Sequence, residues 1–310
     1  MNYIIQEKDF NKRIDIFLTE NIQSISRSYI KKLIDSDKVK VNDKKVKAGY
    51  ILKPNDIIEV LDIEKEALNI LPKKMNIDII YEDNDIIVIN KAKGQVVHPG
   101  NGNYTDTLVN GLLYSHSNNL SNENDDDIRP GIVHRIDKDT TGVIVVAKND
   151  IAHRKLSDQF KEHSITRKYI AIVKGIVKED EITIDKPIGR NPKDRLKMAV
   201  TNINSKRAVT HIKVLNRFYE SKLTLIEATL ETGRTHQIRV HMKSIGYPLL
   251  GDLTYGSQYK LINVDKHMLH AKKLGFIHPS TNEYVEFEVD LPNEFETILK
   301  KIVAREQIEN

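Results

Sequence analysis

The stretch RPGIVHRIDKDTTGVIVVAK, residues 129–148, joins a loop rich in titratable side chains to an apolar run. A Pro-Gly pair breaks the chain before HRID, and Thr-Thr-Gly breaks it again before VIVVA, which predicts a β-strand. The loop therefore presents Asp137 against a rigid strand, with Arg135 nearby. Neighbouring cations favour an ionised carboxylate, which can act as nucleophile or general base. The same pattern is typical of a turn in which Asp137 or Asp139 accepts hydrogen bonds from backbone amides.

The region from residue 75 onward is rich in short β-branched runs. They are IDIIYED, IIVINK, VIVVAK, YIAIVKG, LTLIEATL and YVEFEVD. Three segments have helical periodicity instead, namely DIAHRKLSDQFKEH, THQIRVHMKSIG and NEFETILKKIVAREQ. Many strands with few helices predict an α+β fold built on a mixed, mostly antiparallel sheet.

A second group of candidate site residues lies in ETGRTHQIRVHMKSIG, residues 231–246. Thr235 is expected to cap a helix that runs to Gly246, with His236 and Arg239 on one face. A buried arginine there could bind a carboxylate or a phosphate with both arms of its guanidinium group. His236 and His241 lack the i, i+4 spacing of a helical zinc site, so no metal is predicted. The alternative is a basic surface helix.

Two further segments could contact nucleic acid. Tyr169, in the predicted strand ITRKYIAIVKG, is either a core residue or a platform on which an extruded base stacks. GRNPKDRLKMAV, residues 189–200, is a basic loop or hairpin in which Lys193 and Arg195 could bind RNA.

Residues 1–62 have the pattern of a separate small module of two helices and short strands. The apolar positions Ile14, Phe17 and Leu18 mark the first helix, and Ser26 is a candidate N-cap of the second. Residues 27–53 carry nine basic side chains against three acidic ones. Such a patch, which includes Arg27, Lys31 and Lys32, fits either a phosphate backbone or an ordinary solvated face. The polar, proline-containing residues 63–74 predict a linker to the domain at 75–310.

The composition of the 310 residues restricts the remaining function classes. Cysteine is absent, which excludes disulfides, thiol nucleophiles and cysteine-ligated metal sites. Hydrophobic residues make up 39% and no apolar run is long enough for a membrane span, so a cytoplasmic protein is expected. The net charge of +4 is too small by itself to indicate nucleic acid as the partner.

Several of these segments, taken together and in order, resemble the RluA-type pseudouridine synthases. HRIDKDTTG is similar to that family's HRLDxxTSG signature, and GRTHQIRVHM is similar to its arginine motif. NKAKGQVVHPG, the RKY segment, PLLGDLTYG and MLHAKKLGFIHP fall where the family has similar blocks. The VVHPG form and RNPKDRLKMAV are similar to the RluD-like branch, which modifies large-subunit ribosomal RNA. KRIDIFL, SRSYIKKLI and VKVND resemble the small αL RNA-binding module of S-four type.

The resemblance implies that the protein isomerises specific uridines of RNA to pseudouridine by flipping the base out, without a cofactor. Asp137 would be the catalytic aspartate, Arg239 its partner, and Tyr169 the residue that stacks on the target base. His134, Arg135 and Arg234 would complete the substrate pocket. The partner would be RNA, with a role in ribosome biogenesis; no membrane contact is expected, and a monomer is the default. The family usually has proline where Ala92 stands.

Two other functions remain open from the residues alone. A catalytically idle RNA-binding ribosome-assembly factor would keep the fold as a clamp on RNA. A hydrolase would need a second carboxylate beside Asp137, for which Asp139 is the near candidate.

Overall fold

The computed structural model describes residues 1–22, 27–61, 70–100, 103, 105–116, 119–122, 129–256, 258–259 and 261–308. Within these ranges the side chains of residues 8, 27, 28 and 308 are not described. The chain forms two compact units, the first running to Asn69 and the second beginning at Ile70. Residues 62–69 lie outside the described part, so the boundaries predicted at 62 and 74 stay predictions.

The first unit packs two helices on a four-stranded antiparallel sheet, of strand order β1-β4-β2-β3 in the described residues. Its elements are β1 (Asn2–Ile4), α1 (Ile14–Asn21), α2 (Arg27–Asp35), β2 (Val39–Val41), β3 (Lys44–Lys45) and β4 (Ile57–Val60). The apolar face predicted for α1 is buried, with Ile14, Phe17 and Leu18 at most 4% exposed. The turn between β2 and β3 holds Asn42 and Asp43 at positive φ, as tight hairpins require. Ser26, the predicted N-cap of α2, lies outside the described residues.

The second unit is built on a nine-stranded sheet in the described part of the chain. The strand order is β5-β6-β7-β14-β8-β13-β12-β9, and β15 pairs with β14. These strands are β5 (Ile79–Glu82), β6 (Ile86–Lys91), β7 (Thr141–Ala147), β8 (Thr166–Lys174), β9 (Glu181–Asp185), β12 (Val209–Phe218), β13 (Leu223–Leu230), β14 (Leu269–Ile277) and β15 (Tyr284–Glu288). A separate antiparallel hairpin consists of β10 (Ile188–Arg190) and β11 (Met198–Val200). Among the described strands, only β7 and β14 pair in parallel, so the expected mixed, mostly antiparallel α+β fold is confirmed.

The predicted strand VIVVA is part of β7, an interior strand of this sheet. Every residue of β7 is buried, which explains its uninterrupted apolar pattern. Gly142 at its start has φ +111°, and a Cβ there would lie 2.1 Å from the carbonyl oxygen of Ala271. Glycine thus permits the close approach of β7 to β14, which fixes the end of the HRID loop against the sheet.

The helices of the second unit are α3 (Leu108–His116), α4 (Asp150–Glu162), α5 (Gln237–Ser244) and α6 (Asn293–Ile308). The expected start of α5 is wrong: His236, in a left-handed conformation, occupies the N-cap, and no side chain caps the helix. Thr235 therefore lies before the cap, in the tight turn after β13. No helix in the described ranges is both long and apolar enough to span a bilayer.

Candidate active site

Asp137 lies at the wall of a cavity that is lined mainly by titratable side chains. The cavity measures about 520 Å³, and Asp137 is the one carboxylate among its described lining residues. The cavity is also lined by the other five residues predicted for catalysis or substrate binding, which are His134, Arg135, Tyr169, Arg234 and Arg239. The structure therefore brings together side chains that are far apart in sequence, such as Asp137 and Arg239, which are separated by 102 residues.

Arg239 joins two carboxylates. Its Nη1 donates to Asp137 Oδ2 at 2.9 Å, while Nε and Nη2 donate to Asp252 at 2.7 and 3.0 Å. Burial lowers the pKa of Arg239, but the hydrogen bonds to Asp252 and the charge of Asp137 outweigh burial and raise it. Arg239 is thus a permanent cation held in one orientation beside Asp137.

His236 approaches the other oxygen of Asp137. Its Nδ1 lies 2.7 Å from the hydroxyl of Tyr255, which itself accepts a hydrogen bond from the amide of Met198. The Tyr255 hydroxyl has a proton available for Nδ1, and this pairing assigns the ring proton to Nε2, 3.9 Å from Asp137 Oδ1. Burial lowers the pKa of His236, so the ring is neutral near pH 7. Asp137 consequently faces one fixed charge and one neutral donor.

Tyr169 lies on β8 with its ring 9% exposed, between core residues and the cavity. Burial raises the pKa of Tyr169 to about 12. The phenol is therefore protonated at neutral pH, and its ring face is an apolar surface close to the ionic pair.

His134 and Arg135 have different environments although they are adjacent. His134 Nε2 accepts from the amide of Val145 at 3.0 Å, and its ring stacks on Phe160 at 4.4 Å. Burial lowers the pKa of His134 to about 3, so the ring is neutral and connects the loop that carries Asp137 to β7. Arg135 is exposed toward the cavity and donates to Nε2 of buried His98 at 3.3 Å.

Lys91 binds the backbone of the loop that carries Asp137. Its ammonium group is buried at the end of β6 and donates to the carbonyl groups of Ala92, Gln95 and Lys138, at 2.8 to 3.0 Å. Lys138 follows Asp137 directly, so Lys91 fixes the backbone next to the candidate catalytic carboxylate. Burial lowers the pKa of Lys91 to about 7, and the charges of Asp139 and Asp137 oppose that shift.

The residues predicted to bind RNA outside the pocket lie on two other surfaces. Lys193 and Arg195 are exposed in the loop of the β10–β11 hairpin, which matches the predicted basic hairpin. Lys31 and Lys32 are exposed on α2 of the first unit. Arg27 begins that helix, but its side chain lies outside the described residues.

The structure does not support a pair of catalytic carboxylates. Asp139 lines a separate cavity of about 290 Å³, and its nearest described cation is Lys266 at 3.7 Å. A cluster of Asp83, Asp85 and His278 has the composition of a metal site. However, His278 Nδ1 accepts from two backbone amides and Nε2 donates to Asp83 at 2.9 Å, which leaves no lone pair for an ion.

Sequence reasoning missed several residues of the site. Asp252, Tyr255 and His98 contact predicted residues directly, and Lys91 binds the backbone next to Asp137, yet none of the four was singled out. Asp252 and Tyr255 stand in PLLGDLTYG, His98 in VVHPG and Lys91 in NKAKG. The blocks themselves were therefore the signal, but their contacts are tertiary and have no local periodicity.

Comparison with known proteins agrees with this geometry. Residues 85–244 match the family described as RNA pseudouridylate synthase, and residues 12–58 match the S4 domain. An RNA pseudouridine synthase of Bacillus subtilis (strain 168) is 49% identical over 96% of both chains. The "Ribosomal large subunit pseudouridine synthase D" of Zymomonas mobilis is 40% identical, again over 96% of both chains.

A solved structure is also similar to this chain. "Human RNA Pseudouridylate Synthase Domain Containing 1" superposes with a TM-score of 0.57 and 27% identity, covering 74% of this chain and 95% of the human chain. With a family match over more than half of its residues and relatives of 49% and 40% identity over 96% of its length, the chain belongs to the RNA pseudouridylate synthase family and is an RNA pseudouridine synthase with an N-terminal S4 domain.

Proposed function

We propose that the protein converts specific uridines of large-subunit ribosomal RNA to pseudouridine, with Asp137 as the catalytic aspartate. The observation that carries the proposal is the ion pair of Asp137 and Arg239 in a cavity that Tyr169 also lines. The choice of RNA rests on the name of the Zymomonas mobilis relative, a large-subunit synthase.

The reaction needs only groups that the chain and the substrate supply. The bond between uracil N1 and ribose C1′ breaks, the free base turns, and C5 bonds to C1′ while the C5 proton is lost and N1 gains one. Asp137 could attack C1′, attack C6 of the base, or remove a ribose proton to give a glycal. Each first step requires an ionised carboxylate, which the fixed charge of Arg239 stabilises.

The remaining pocket residues would bind and retain the base. Tyr169 would stack on uracil as a neutral phenol, which keeps the detached base from escaping. Arg135, which is exposed and hydrogen-bonded to His98, would enter the gap that the flipped uridine leaves in the RNA. Flipping costs a few kcal/mol, and less for an unpaired uridine, so a loop is the favoured target. Lys193, Arg195 and the S4 domain would bind the backbone.

A site-resolved pseudouridine map tests the proposal. Unmodified large-subunit ribosomal RNA is incubated with the wild type, with Asp137→Asn and with Asp139→Asn. We expect product at discrete positions with the wild type and Asp139→Asn. We expect none with Asp137→Asn, which should still bind RNA within about threefold because it keeps the shape of the pocket.

Two results would contradict the proposal in different ways. An active Asp137→Asn enzyme would remove Asp137 from the chemistry. Tight binding of the RNA by the wild type without any product would favour an idle assembly factor, whereas product in another class of RNA would correct the substrate.

A further inference from the structure

The active-site cavity also contains a cluster of cations that the proposed chemistry does not use. Four cations line it, Lys161, Arg167, Lys206 and Arg234, together with His163. Within the described part of the chain, none of these five side chains forms an ion pair with a carboxylate. Positive groups gathered in a cavity without acidic partners indicate an anionic ligand.

Arg167 is the buried centre of this cluster. It lies two residues before Tyr169 on β8, and both side chains are buried on the same face of the strand. Arg167 is 6% exposed, and its Nε is a buried donor without a hydrogen-bond partner. Burial, which outweighs the effect of nearby Tyr169, lowers the pKa of Arg167, and the charge of Arg234 lowers it further. A buried cation with an unpaired donor is costly unless a ligand supplies the missing acceptor.

A purely structural role explains only one nitrogen of Arg167. Nη2 donates to the carbonyl group of Glu231 at 2.8 Å and lies 3.5 Å from that of Leu230. The guanidinium group also lies over the ring of Phe160 at 5.9 Å. These contacts hold the turn after β13, but they leave Nε free and do not account for the neighbouring cations.

The backbone beside Arg167 leaves Nη1 accessible. Gly233 is exposed, its φ is not in the left-handed region, and a Cβ there would lie 2.6 Å from Arg167 Nη1. The missing side chain therefore provides room next to the guanidinium group rather than a special backbone conformation. His163, whose Nδ1 is also buried without a partner, lies close enough for Arg167 and Arg234 to lower its pKa, although burial contributes most.

We propose that Arg167 and Arg234 form a phosphate subsite, bordered by His163 and Lys161, that binds the RNA phosphate next to the flipped uridine. The inference rests on the proposed function, since it places the target base on Tyr169. Residues i and i+2 of a strand are about 7 Å apart, so a nucleotide stacked on Tyr169 keeps its own phosphate within reach of Arg167. Nη1 of Arg167 would donate a charge-assisted hydrogen bond to a phosphate oxygen, next to the charge of Arg234. The subsite would fix the sugar relative to Asp137.

A chemical double-mutant cycle tests this subsite. The probe is a stem-loop of large-subunit ribosomal RNA with unpaired uridines, carrying either normal linkages or one uncharged methylphosphonate beside the target, with matched 2′-deoxy sugars. Binding is measured in the Asp137→Asn background, with and without Arg167→Gln, so that no turnover occurs. Lys178→Gln, an exposed residue that does not line the cavity, is the control.

We expect the methylphosphonate to weaken binding by about tenfold or more when Arg167 is present, as for the loss of a charge-assisted hydrogen bond. With Arg167→Gln the same substitution should cost no more than twofold. The slope of log Kd against log salt should also fall by about 0.7 to 0.9, the value for one phosphate contact. The loss of affinity from the methylphosphonate could instead be the same with and without Arg167, at the linkage on either side of the target, and the salt slope could stay unchanged. That result would show that Arg167 is only structural.

Two further results keep the test decisive. If Arg167→Gln does not fold, Arg234→Gln takes its place in the cycle. If the effects of Arg234→Gln and of the methylphosphonate on binding are then additive, the subsite is overturned. If the wild type binds the stem-loop but makes no pseudouridine, the proposed substrate is wrong, while the non-additivity in binding still decides on the subsite.

Discussion

Arg239 interacts with the catalytic candidate Asp137 through one nitrogen and with Asp252 through two. Asp252 is buried and also accepts from the amides of Thr254 and Tyr255. It therefore connects the loop after α5 to the guanidinium group. The consequence is that Asp252 controls the direction in which Nη1 points, although it does not line the active-site cavity.

We expect Asp252→Asn to lower kcat by about 10- to 100-fold with a smaller change in KM. The amide directs N–H donors at the guanidinium group and leaves a buried cation half compensated, which typically costs about 3–5 kcal/mol. Steady-state kinetics and thermal unfolding measure both effects. Asp139→Asn, a carboxylate near Asp137 that lines the other cavity, should stay within about threefold of the wild type. Equal losses of kcat in the two variants would contradict the role of Asp252.

The sequence could predict Asp137 and Arg239 because each stands in a dense local motif. Asp252 could not be predicted in the same way. It is 13 residues from Arg239, outside the helix, and only the folded loop brings the two together. Roles for the predicted residues remain proposals, whereas their convergence in one cavity is a property of the fold.

At the scale of elements, the loop that carries Asp137 is held by contacts from β6 as well as from β7. Lys91 at the end of β6 donates to the carbonyl group of Lys138, and Thr140 bonds His267 Nε2 at 2.9 Å just before β14. On the other side of Asp137, His134 Nε2 accepts from the amide of Val145 on β7. The loop is thus fixed on both sides of Asp137.

We expect Lys91→Met to lower both stability and kcat. Methionine fills a similar volume but leaves three buried carbonyl groups without their donor, each at a cost of about 1–3 kcal/mol. Release of the Lys138 carbonyl then loosens the backbone beside Asp137. Differential scanning fluorimetry and single-turnover kinetics measure the two effects. Lys93→Met, two residues away and paired with Glu294 near the surface, is the control; a Lys91 variant no worse than this control would contradict the role of Lys91.

Which elements could be predicted depends on how the strands pack. β7 and β8 have long β-branched runs because both of their faces are buried, and the sequence indicates them directly. β14 is equally central but was missed, since Lys272 and Lys273 interrupt its pattern; both pair with acidic residues of or beside β15. The nine-residue helix α3 was missed because Asn110 and Gly111 weaken its helical propensity. Its start is fixed by hydrogen bonds of Thr107 to Asn110.

For the whole molecule, buried neutral histidines make stability depend on pH. Burial lowers the pKa to about 4 for His98, His267 and His270, and to about 3 for His134. The unfolded chain takes up these protons near pH 6.5. Between about pH 6.5 and 4 the unfolded state therefore binds more protons, and the free energy of unfolding falls as the pH falls.

We expect the contribution of these histidines to be complete above about pH 7, and a loss of up to about 1.4 kcal/mol per pH unit for each histidine below pH 6.5. Urea unfolding at pH 7, 6 and 5 measures the slope. Carboxylates with lowered pKa values, such as Asp252, lose their contribution only at lower pH. His270→Gln should reduce the slope of the unfolding free energy against pH by the contribution of one proton, about 1.4 kcal/mol per pH unit. An unfolding free energy that is constant from pH 7 to 5 would contradict the neutral state of these histidines.

The two compact units make a separation of affinity from chemistry testable. The first unit has its own core, and its exposed basic residues include Lys31, Lys32, Lys44 and Lys47. The six predicted pocket residues all belong to the second unit. If the S4 domain supplies phosphate contacts, its removal should weaken RNA binding without changing the reaction at saturating RNA.

We therefore expect deletion of residues 1–62 to raise the Kd for large-subunit ribosomal RNA by at least about tenfold, with kcat within a few fold of the wild type. Each lost phosphate contact should reduce the slope of log Kd against log salt by about 0.7 to 0.9. The full-length double variant Lys31→Gln, Lys32→Gln keeps the unit folded and should give a partial change in the same direction. Circular dichroism establishes that the shortened chain is folded. An unchanged Kd and slope in a folded deletion variant would reject the RNA-binding role, because the basic face would then be an ordinary solvated surface.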